Sequence, residues 1–346
     1  MDELYMQRCF ELAALATGNT SPNPLVGSVI VHKGRIIGEG YHHQAGFPHA
    51  EVEAIRAVKD QELLKEAVLY VNLEPCSHHG RTPPCADLII QKQIKKVVIS
   101  TIDTNRKVAG QGIERMRAHG IEVVTGVSEN QGRELNKRFF CVQEKERPYI
   151  ILKWAQSGDG FLDRQRLPGE SPKINWITGE TARKLVHRWR AEEDAILVGT
   201  HTAIKDNPSL TLRDWPGKQP LRIVIDRTSQ LPAHLALFNE EAPTLVFSAD
   251  KKGKRKNVAW VKIDFSTNVL NQIMRKLVHY PVNSVIIEGG AVLLQSFIDA
   301  GLWDEARVFT GAVQFKRGIK APVLPPARTK IINLNQDMLM LWNKIP

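Results

Sequence analysis

The chain has 346 residues, which favours two domains, and its 42% hydrophobic and 24% charged residues are typical of a soluble globular protein. No apolar run approaches the ~18–20 residues that span a bilayer, and the first residues lack a signal-peptide pattern, so we expect a cytoplasmic protein. The net charge of +10 lies in residues 147–346, because residues 1–146 hold 18 basic and 18 acidic residues; a basic half suits nucleic acid or a phosphorylated small molecule, or is only a solvated surface.

The first half alternates strands and helices. Three- and four-residue apolar spacing predicts a helix over residues 3–16, and Gly34 marks a hairpin. Such alternation predicts an α/β layer structure. The other predicted elements are strands at 26–32, 36–40, 68–73 and 96–100 and helices at 50–59 and 86–93.

A polar segment that closes with a proline, residues 144–148, is the candidate linker. Beyond it the alternation begins again and predicts a second α/β domain. We therefore place the domains at 1–145 and 147–346. The basic run 251–256 is expected to be a solvated loop. The predicted elements of the second half are a helix at 179–190 and strands at 149–154, 195–198, 221–225, 244–247, 284–287 and 305–310.

The strongest chemical signal is a set of residues suited to zinc. His49-Ala50-Glu51 is followed by Pro75-Cys76 and then by Cys85. Zinc takes imidazole and thiolate ligands, and a catalytic site keeps its fourth position for water, whose pKa falls to ~7. Glu51, at the start of a predicted helix, can point into the same site and carry a proton to the ring nitrogen and the leaving amine. This pattern predicts a zinc deaminase with one zinc per chain.

Other interpretations of these residues stay open. Eight residues separate Cys76 from Cys85, where two are usual in nucleobase deaminases. A structural zinc site or two buried free cysteines would contain the same residues. A structural site usually has four protein ligands, however, and Cys9 and Cys141 are far away in the sequence. In a reducing compartment, clustered cysteines more often bind metal or do chemistry than form disulfides.

The insert itself resembles a known family. Segments 22–27, 40–42, 49–54 and 75–85 are similar to the deaminase domain of bacterial bifunctional riboflavin-biosynthesis deaminase–reductases. The resemblance implies a cytidine-deaminase-like three-layer fold for residues 1–145. Arg81 stands where the family often has Lys, and its planar fork would grip a phosphate in a different geometry. The alternative for His42 and His78 is that they are solvent-facing loop histidines. The implied substrate contacts are Asn23, His42, His78 and Arg81.

Local signals in the second half are weaker. The predicted strand at 284–287 leads into Gly289-Gly290 and then a helix. Glycines let the backbone come close to a ligand, and a helix N-terminus presents free N–H groups to a phosphate. The alternative is that Gly-Gly makes an ordinary turn. There is no G-x-G-x-x-G after a strand and no P-loop. The order of segments 153–160, 175–178, 187–190, 199–202, 206–211 and 288–290 nevertheless resembles the reductase domain of the same family.

That domain is dihydrofolate-reductase-like and uses NADPH. The resemblance covers nearly the whole chain and is least clear at 230–280 and after 314. Arg227, just after the strand at 221–225, is placed to meet the extra phosphate of NADPH, and Arg190 and Arg213 suit phosphate clamps. The implied cofactor-binding residues are Ala155, Trp176, Thr202, Asp206, Arg227, and Gly290 and Ala291 within the segment 290–296. The implied substrate-binding residues are Ile174, Arg190, Leu210, Arg213 and Glu288.

By resemblance, the first domain hydrolyses the ring amine of 2,5-diamino-6-(5-phosphoribosylamino)pyrimidin-4-one. The second domain then transfers a hydride from NADPH to the ribose carbon, with Asp206 and Glu288 as candidate proton donors. The expected partner is this phosphorylated small molecule, with no nucleic acid and no membrane, and we expect a homo-oligomer.

Two rival functions remain at this point. One is a tRNA or single-stranded nucleic-acid deaminase with a basic binding domain. It predicts basic residues interleaved with aromatics, and the run 251–256 has no aromatic. The other is a non-catalytic, zinc-stabilised binding module, which gives Glu51 no role.

Overall fold

The computed structural model describes residues 1–78, 83–104, 109–165 and 175–344. It divides into two compact units, Met1–Glu146 and Arg147–Pro346. Two residues predicted to contact substrate, Arg81 and Ile174, lie outside the described residues. Across the described ranges, no helix combines the length and the apolar character needed to cross a membrane.

A five-stranded sheet forms the centre of the first unit. Its spatial order puts the second strand at one edge, next to the first, and then the third, fourth and fifth. The first strand is antiparallel to both neighbours, and the last three are parallel to one another. The third and fourth strands are buried along almost their whole length, because helices cover both faces. The strands are β1 (Gly27–His32), β2 (Arg35–Tyr41), β3 (Val68–Leu73), β4 (Lys96–Thr101) and β5 (Glu122–Thr125).

Helices on both faces make this unit three-layered. Ile55, Ile89 and Met116, from three different helices, pack on one face of the sheet. Met6 and Phe10 of the first helix pack on the other. The helices are α1 (Asp2–Ala14), α2 (Ala50–Ala57), α3 (Cys85–Gln91), α4 (Gln111–Ala118), α5 (Glu129–Leu135) and α6 (Lys137–Lys145), with a 3-10 turn at Gln61–Glu66.

A ten-stranded sheet forms the centre of the second unit. Its strands are β6 (Tyr149–Gln156), β8 (Ala195–Gly199), β9 (Leu221–Ile225), β10 (Thr244–Ser248), β11 (Gly253–Arg255), β12 (Val258–Lys262), β13 (Ser284–Glu288), β14 (Glu305–Thr310), β16 (Arg328–Leu334) and β17 (Asp337–Asn343). A separate two-stranded sheet pairs β7 (Phe161–Arg164) with β15 (Gly318–Lys320). The order of the large sheet is β11-β12-β10-β9-β8-β13-β6-β14-β17-β16.

The seven strands from β12 to β14 in that order are parallel. Their carboxyl ends therefore meet at one edge of the sheet, where ligands of such sheets bind. Phe297 and Leu277 pack on one face, and Ala182 and Trp189 pack on the other. The helices of the unit are α7 (Glu180–Glu192), α8 (Thr200–Asp206), α9 (Val269–Leu277) and α10 (Ala291–Asp299), with a 3-10 turn at Ala236–Phe238.

Two predicted segments differ from the structure. The basic run 251–256 is not wholly a loop, because residues 253–255 form the short, exposed strand β11, paired antiparallel with β12. The candidate linker is shorter than predicted, because Glu144 and Lys145 continue α6, whose Phe139 and Phe140 are buried. The helix ends where Glu146 adopts a left-handed φ of +52°, and Pro148 disfavours a helical conformation at the residue before it.

Candidate functional site

Three side chains from separate elements meet in the first unit. His49 precedes the first residue of α2, Cys76 follows β3, and Cys85 is the first residue of α3. The His49 Nδ1 atom lies 3.5 Å from Cys76 Sγ and 3.3 Å from Cys85 Sγ. Zinc–ligand bond lengths in a tetrahedral site place sulfur and nitrogen roughly 3.6 Å apart. The donor set and its spacing thus fit zinc, with three protein ligands within 4.8 Å of one another.

Hydrogen bonds lower the pKa of one thiol in this set of ligands. The Cys85 side chain and His49 both lower the pKa of Cys76, and the Cys85 backbone N–H donates to Cys76 Sγ at 3.3 Å. The pKa of Cys85 is raised because its thiol shares a proton with Cys76. The hydrogen bond with Cys76 also raises the pKa of His49. The lowered pKa of Cys76 favours the thiolate, the form of cysteine that binds metal.

Glu51 is buried beside the cluster without being part of it. It is the second residue of α2, and its side chain is 3% exposed. Burial, together with the negative charge of Cys76, raises its pKa to about 7. A carboxyl group with this pKa can both accept and donate a proton near neutral pH, which a general acid–base residue must do.

His42 is held in one tautomer. It is buried, and its Nδ1 lies 3.0 Å from the Pro48 carbonyl oxygen, to which it donates. Its Nε2 is then an acceptor for the amide of Asn23, at 3.0 Å. Burial lowers the pKa of His42, which keeps the ring neutral. The alternative of a solvent-facing histidine is wrong for His42.

These residues surround a cavity of about 550 Å³. Asn23, His42 and His78 line it together with His49, Glu51 and Cys76, so the structure brings the described predicted residues to one place. Cys85 lies behind this wall and is buried. The cavity also has lining residues that the sequence did not single out, among them Phe47, Glu74, Asp103, Phe139 and Gln143.

Glu74 is the most strongly bonded of these additional residues. Its carboxylate accepts backbone N–H bonds from Asp103, Gly110, Gly112 and Ile113 at 3.0–3.4 Å. It is buried between β3 and the start of α4. The four bonds fix the backbone at Asp103 and at the start of α4. The position of this carboxylate, two residues before Cys76, was the only signal in the sequence. Its hydrogen-bond partners are backbone groups, which a residue pattern does not reveal.

The second unit holds a buried charge cluster at the carboxyl edge of its sheet. Glu288 ends β13 and is the register partner of Lys153 in β6. Arg190 of α7 donates to Glu288 at 3.0 Å and to the Thr211 carbonyl at 3.2 Å, while Lys153 Nζ lies 3.9 Å from Glu288. Burial alone would raise the pKa of Glu288, but Arg190 and Lys153 outweigh it and lower the pKa to about 2. Burial lowers the pKa of Lys153 despite Glu288.

A close backbone approach follows this cluster. The Gly290 N–H donates to Thr202 Oγ1 at 3.0 Å, which joins the turn after β13 to α8. Gly289 has a φ of +137°, and a Cβ atom there would lie 3.1 Å from Thr202 Oγ1. Only glycine fits this conformation without strain. Glycine at position 289 therefore lets the turn before Ala291, the first residue of α10, approach Thr202 closely.

The other predicted residues of this unit occupy the same edge or its loops. Leu210 is buried with a φ of +53°, and the Arg213 N–H donates to His187 Nδ1 at 3.3 Å. The Trp176 side chain is 60% exposed, and the Arg183 guanidinium lies over its ring. Lys153 lies in the segment 153–160, which resembles the reductase domain, but its side chain is not among the predicted site residues. Ala155 lies in β6, Asp206 ends α8, and Arg227 is exposed after β9.

Known families match both units. Residues 1–101 match the cytidine and deoxycytidylate deaminase zinc-binding region, and residues 148–314 match the RibD C-terminal domain. These matches confirm the predicted fold class, a cytidine-deaminase-like three-layer domain followed by a dihydrofolate-reductase-like domain. Zinc and NADPH, the cofactors predicted from the sequence, are those of these two domain types.

Relatives match over the full length. The riboflavin biosynthesis protein RibD of Aquifex aeolicus is 40% identical, and the match covers 99% of each chain. RibD of Escherichia coli is 38% identical over 89% of this chain and 87% of its own. A crystal structure from Thermotoga maritima, of a diaminohydroxyphosphoribosylaminopyrimidine deaminase/5-amino-6-(5-phosphoribosylamino)uracil reductase, matches 99% of both chains with a TM-score of 0.88 and 37% identity. The chain therefore belongs to the RibD family of riboflavin biosynthesis proteins.

Proposed function

We propose that the chain catalyses two successive steps of riboflavin biosynthesis, with the deaminase in residues 1–145 and the reductase in residues 147–346. The substrate is a small molecule, 2,5-diamino-6-(5-phosphoribosylamino)pyrimidin-4-one, whose ring amine is hydrolysed before its ribosyl group is reduced with NADPH. The observation that carries this proposal is the set His49, Cys76 and Cys85 with the buried, non-ligating Glu51 at one cavity.

In the deaminase step, His49, Cys76 and Cys85 would hold zinc, which when bound would supply an activated water at neutral pH. Glu51 would take one proton from that water to the ring nitrogen, and then a second proton from the newly added hydroxyl to the amine, which leaves as ammonia. Its pKa of about 7 supports both transfers. Asn23 and the neutral His42 orient the pyrimidine, and His78 and Arg81 contact the rest of the substrate.

In the reductase step, the carboxyl edge of the large sheet would hold NADPH. The residues that would bind the cofactor are Ala155, Trp176, Thr202, Asp206, Arg227 and the turn at Gly290 and Ala291, and those that would bind the substrate are Ile174, Arg190, Leu210, Arg213 and Glu288. The role of this edge is to position the nicotinamide against the sugar carbon.

The charge cluster changes the choice of proton donor. With a pKa of about 2, Glu288 is ionised at neutral pH and has no proton to give. The Lys153 Nζ atom lies 3.9 Å from Glu288, and burial lowers the pKa of Lys153, which makes its proton easier to release. We therefore assign the proton donation to Lys153, and to Glu288 the role of holding the charges of Lys153 and Arg190.

The remaining expectations extend this proposal. Four free cysteines, three of them buried, suit a reducing cytoplasm. The excess positive charge serves phosphorylated ligands, and no nucleic acid takes part. A homo-oligomer stays a prediction, and light scattering of the purified chain measures it.

One experiment tests the whole proposal. The purified protein is incubated with the diaminopyrimidine ribosylphosphate, and ammonia release and NADPH oxidation are followed together. We expect ammonia with or without NADPH, and NADPH oxidation only after deamination. No ammonia release from the wild-type protein would favour the binding-module alternative, and release that is unchanged in Glu51→Gln would contradict the proton transfer assigned to Glu51. Salt-sensitive, submicromolar binding to single-stranded nucleic acid, without NADPH oxidation, would favour the nucleic-acid deaminase.

A further inference from the structure

Two neighbouring parallel strands, β9 and β10, end side by side at the carboxyl edge of the large sheet. Arg227 follows β9, and Asp250 follows β10. The Ala249 N–H donates to the Arg227 carbonyl at 3.2 Å, so the two loops are joined. Arg227 and Asp250 are both exposed, which leaves a cation and a carboxylate open to a ligand at the same place.

The Asp250 carboxylate is held by two serines. Its Oδ1 atom accepts from Ser248 Oγ at 2.6 Å and from Ser229 Oγ at 2.9 Å. Ser248 Oγ in turn accepts the Lys251 N–H at 3.3 Å. Serine hydroxyls at strand ends are common donors to a bound phosphate. Here both donate to a carboxylate of the protein itself, so a negative charge already occupies the position that suits an anion.

The topology separates this carboxylate from the charge cluster along the carboxyl edge of the sheet. The charge cluster of Lys153 and Glu288 lies at the ends of β6 and β13, and the contact between Thr202 and Gly290 joins the ends of β8 and β13. The order β6, β13, β8, β9, β10 continues away from the cluster. From β13 to β10 is three strand spacings, roughly 14 Å. A cofactor whose nicotinamide lies at the cluster therefore extends its adenosine end towards β9 and β10.

NADPH and NADH differ only at that end, where one has a phosphate and the other a 2′-hydroxyl. In dinucleotide sites an acidic residue accepts a hydrogen bond from the hydroxyl, whereas a nearby Arg accommodates the phosphate. This chain has both residue types at adjoining strand ends. We infer that Asp250 is a specificity-determining residue that weakens NADPH binding and supports NADH binding, opposing Arg227. The inference rests on the proposed reductase function.

Calorimetric titration of the full chain with NADP⁺ and NAD⁺ tests the inference without turnover. Asp250→Asn keeps the hydrogen-bond acceptor and removes the charge. We expect it to tighten NADP⁺ binding by about fivefold or more and to weaken NAD⁺ binding by about two- to fivefold, since a charge-assisted hydrogen bond becomes neutral. Titration with 2′-AMP and 5′-AMP should show the same opposite changes, because the inference concerns the adenosine end alone.

Asp264→Asn is the matched control. Asp264 is also exposed, follows the neighbouring strand β12, and accepts from the hydroxyl of Ser266 at 2.7 Å. It should change both Kd values by less than about twofold. A ratio of NADP⁺ to NAD⁺ affinity that stays within twofold in Asp250→Asn, or that moves equally in Asp264→Asn, overturns the inference while leaving the reductase intact. Wild-type protein that binds neither dinucleotide overturns the reductase proposal and the inference with it.

Discussion

Glu288→Gln should destabilise the second unit by an amount that can be worked out from the charge cluster. The pKa of Glu288 falls from 4.5 to about 2, and each pKa unit corresponds to 1.36 kcal/mol. The ionised carboxylate therefore gains roughly 3 kcal/mol from Arg190 and Lys153 after its own burial is counted. A neutral amide loses this gain and leaves two buried cations without compensation, which is typically strongly destabilising.

For a unit of this size, each kcal/mol shifts Tm by roughly 2–4 °C, so we expect a fall of roughly 6–12 °C. The assay is scanning calorimetry of the full chain, in which the transition that NADP⁺ raises is assigned to the second unit. The control is a double-mutant cycle with Arg190→Met. Because Arg190 bonds Glu288 directly at 3.0 Å, the double variant should lose about 1–3 kcal/mol less than the sum of the two single variants. A loss under about 1 kcal/mol, or additivity within about 0.3 kcal/mol, would refute the reasoning.

Four further predictions follow from the sites. The depressed pKa of Glu288 gives stability that is complete above about pH 4.5 and lost as the pH falls towards 2, so the difference between wild type and Glu288→Gln should shrink below pH 4.5; a difference that is constant in urea titrations from pH 7 to 3 contradicts this. Metal analysis should find about one zinc per chain, and Cys76→Ser with Cys85→Ser should abolish it; full retention would rule out the ligand set. Glu51→Gln should keep zinc but lower deamination by ~10²–10⁴-fold, while reduction of supplied deaminated intermediate stays normal; a loss under about tenfold argues against the proton transfer. Arg227→Ala should raise the KM for NADPH at least about tenfold more than that for NADH, whereas Arg190→Ala or Arg213→Ala should weaken the sugar phosphate with either cofactor; equal effects on both cofactors would remove Arg227 from the phosphate site.

The metal ligands of the first unit could be predicted because they follow a short pattern in the sequence. His49 precedes α2, Cys76 follows β3 and Cys85 begins α3, and all three elements were predicted from the sequence. Glu74 could not be predicted, because it bonds backbone N–H groups 29–39 positions away, and backbone groups leave no residue pattern. Asp103, which lines the cavity, donates one of those N–H groups.

In the second unit too, some features could be predicted from the sequence and others could not. Its helix at 179–190, most of its strands up to residue 310 and the turn at Gly289-Gly290 were predicted from the sequence, whereas the order of the strands in the sheet was not. The role of Lys153 depends on the register in which β6 pairs with β13, which no local pattern reveals. The antiparallel pair β16 and β17 was missed because β16 is largely exposed and mixes Arg, Lys and Asn with its apolar residues. The basic run 251–256 resembled a loop because a three-residue edge strand buries nothing.

Glu74 ties the wall of the cavity to the metal-ligand cluster. Its carboxylate accepts the main-chain N–H groups of Asp103, Gly110 and Gly112, and only Pro75 separates it from Cys76. A Cβ atom at Gly112 would overlap the Pro75 carbonyl oxygen, so this close approach accepts glycine alone. A change that displaces the start of α4 therefore reaches Asp103 on one side and Cys76 on the other, and the shape of the cavity and the geometry of the metal ligands cannot vary independently.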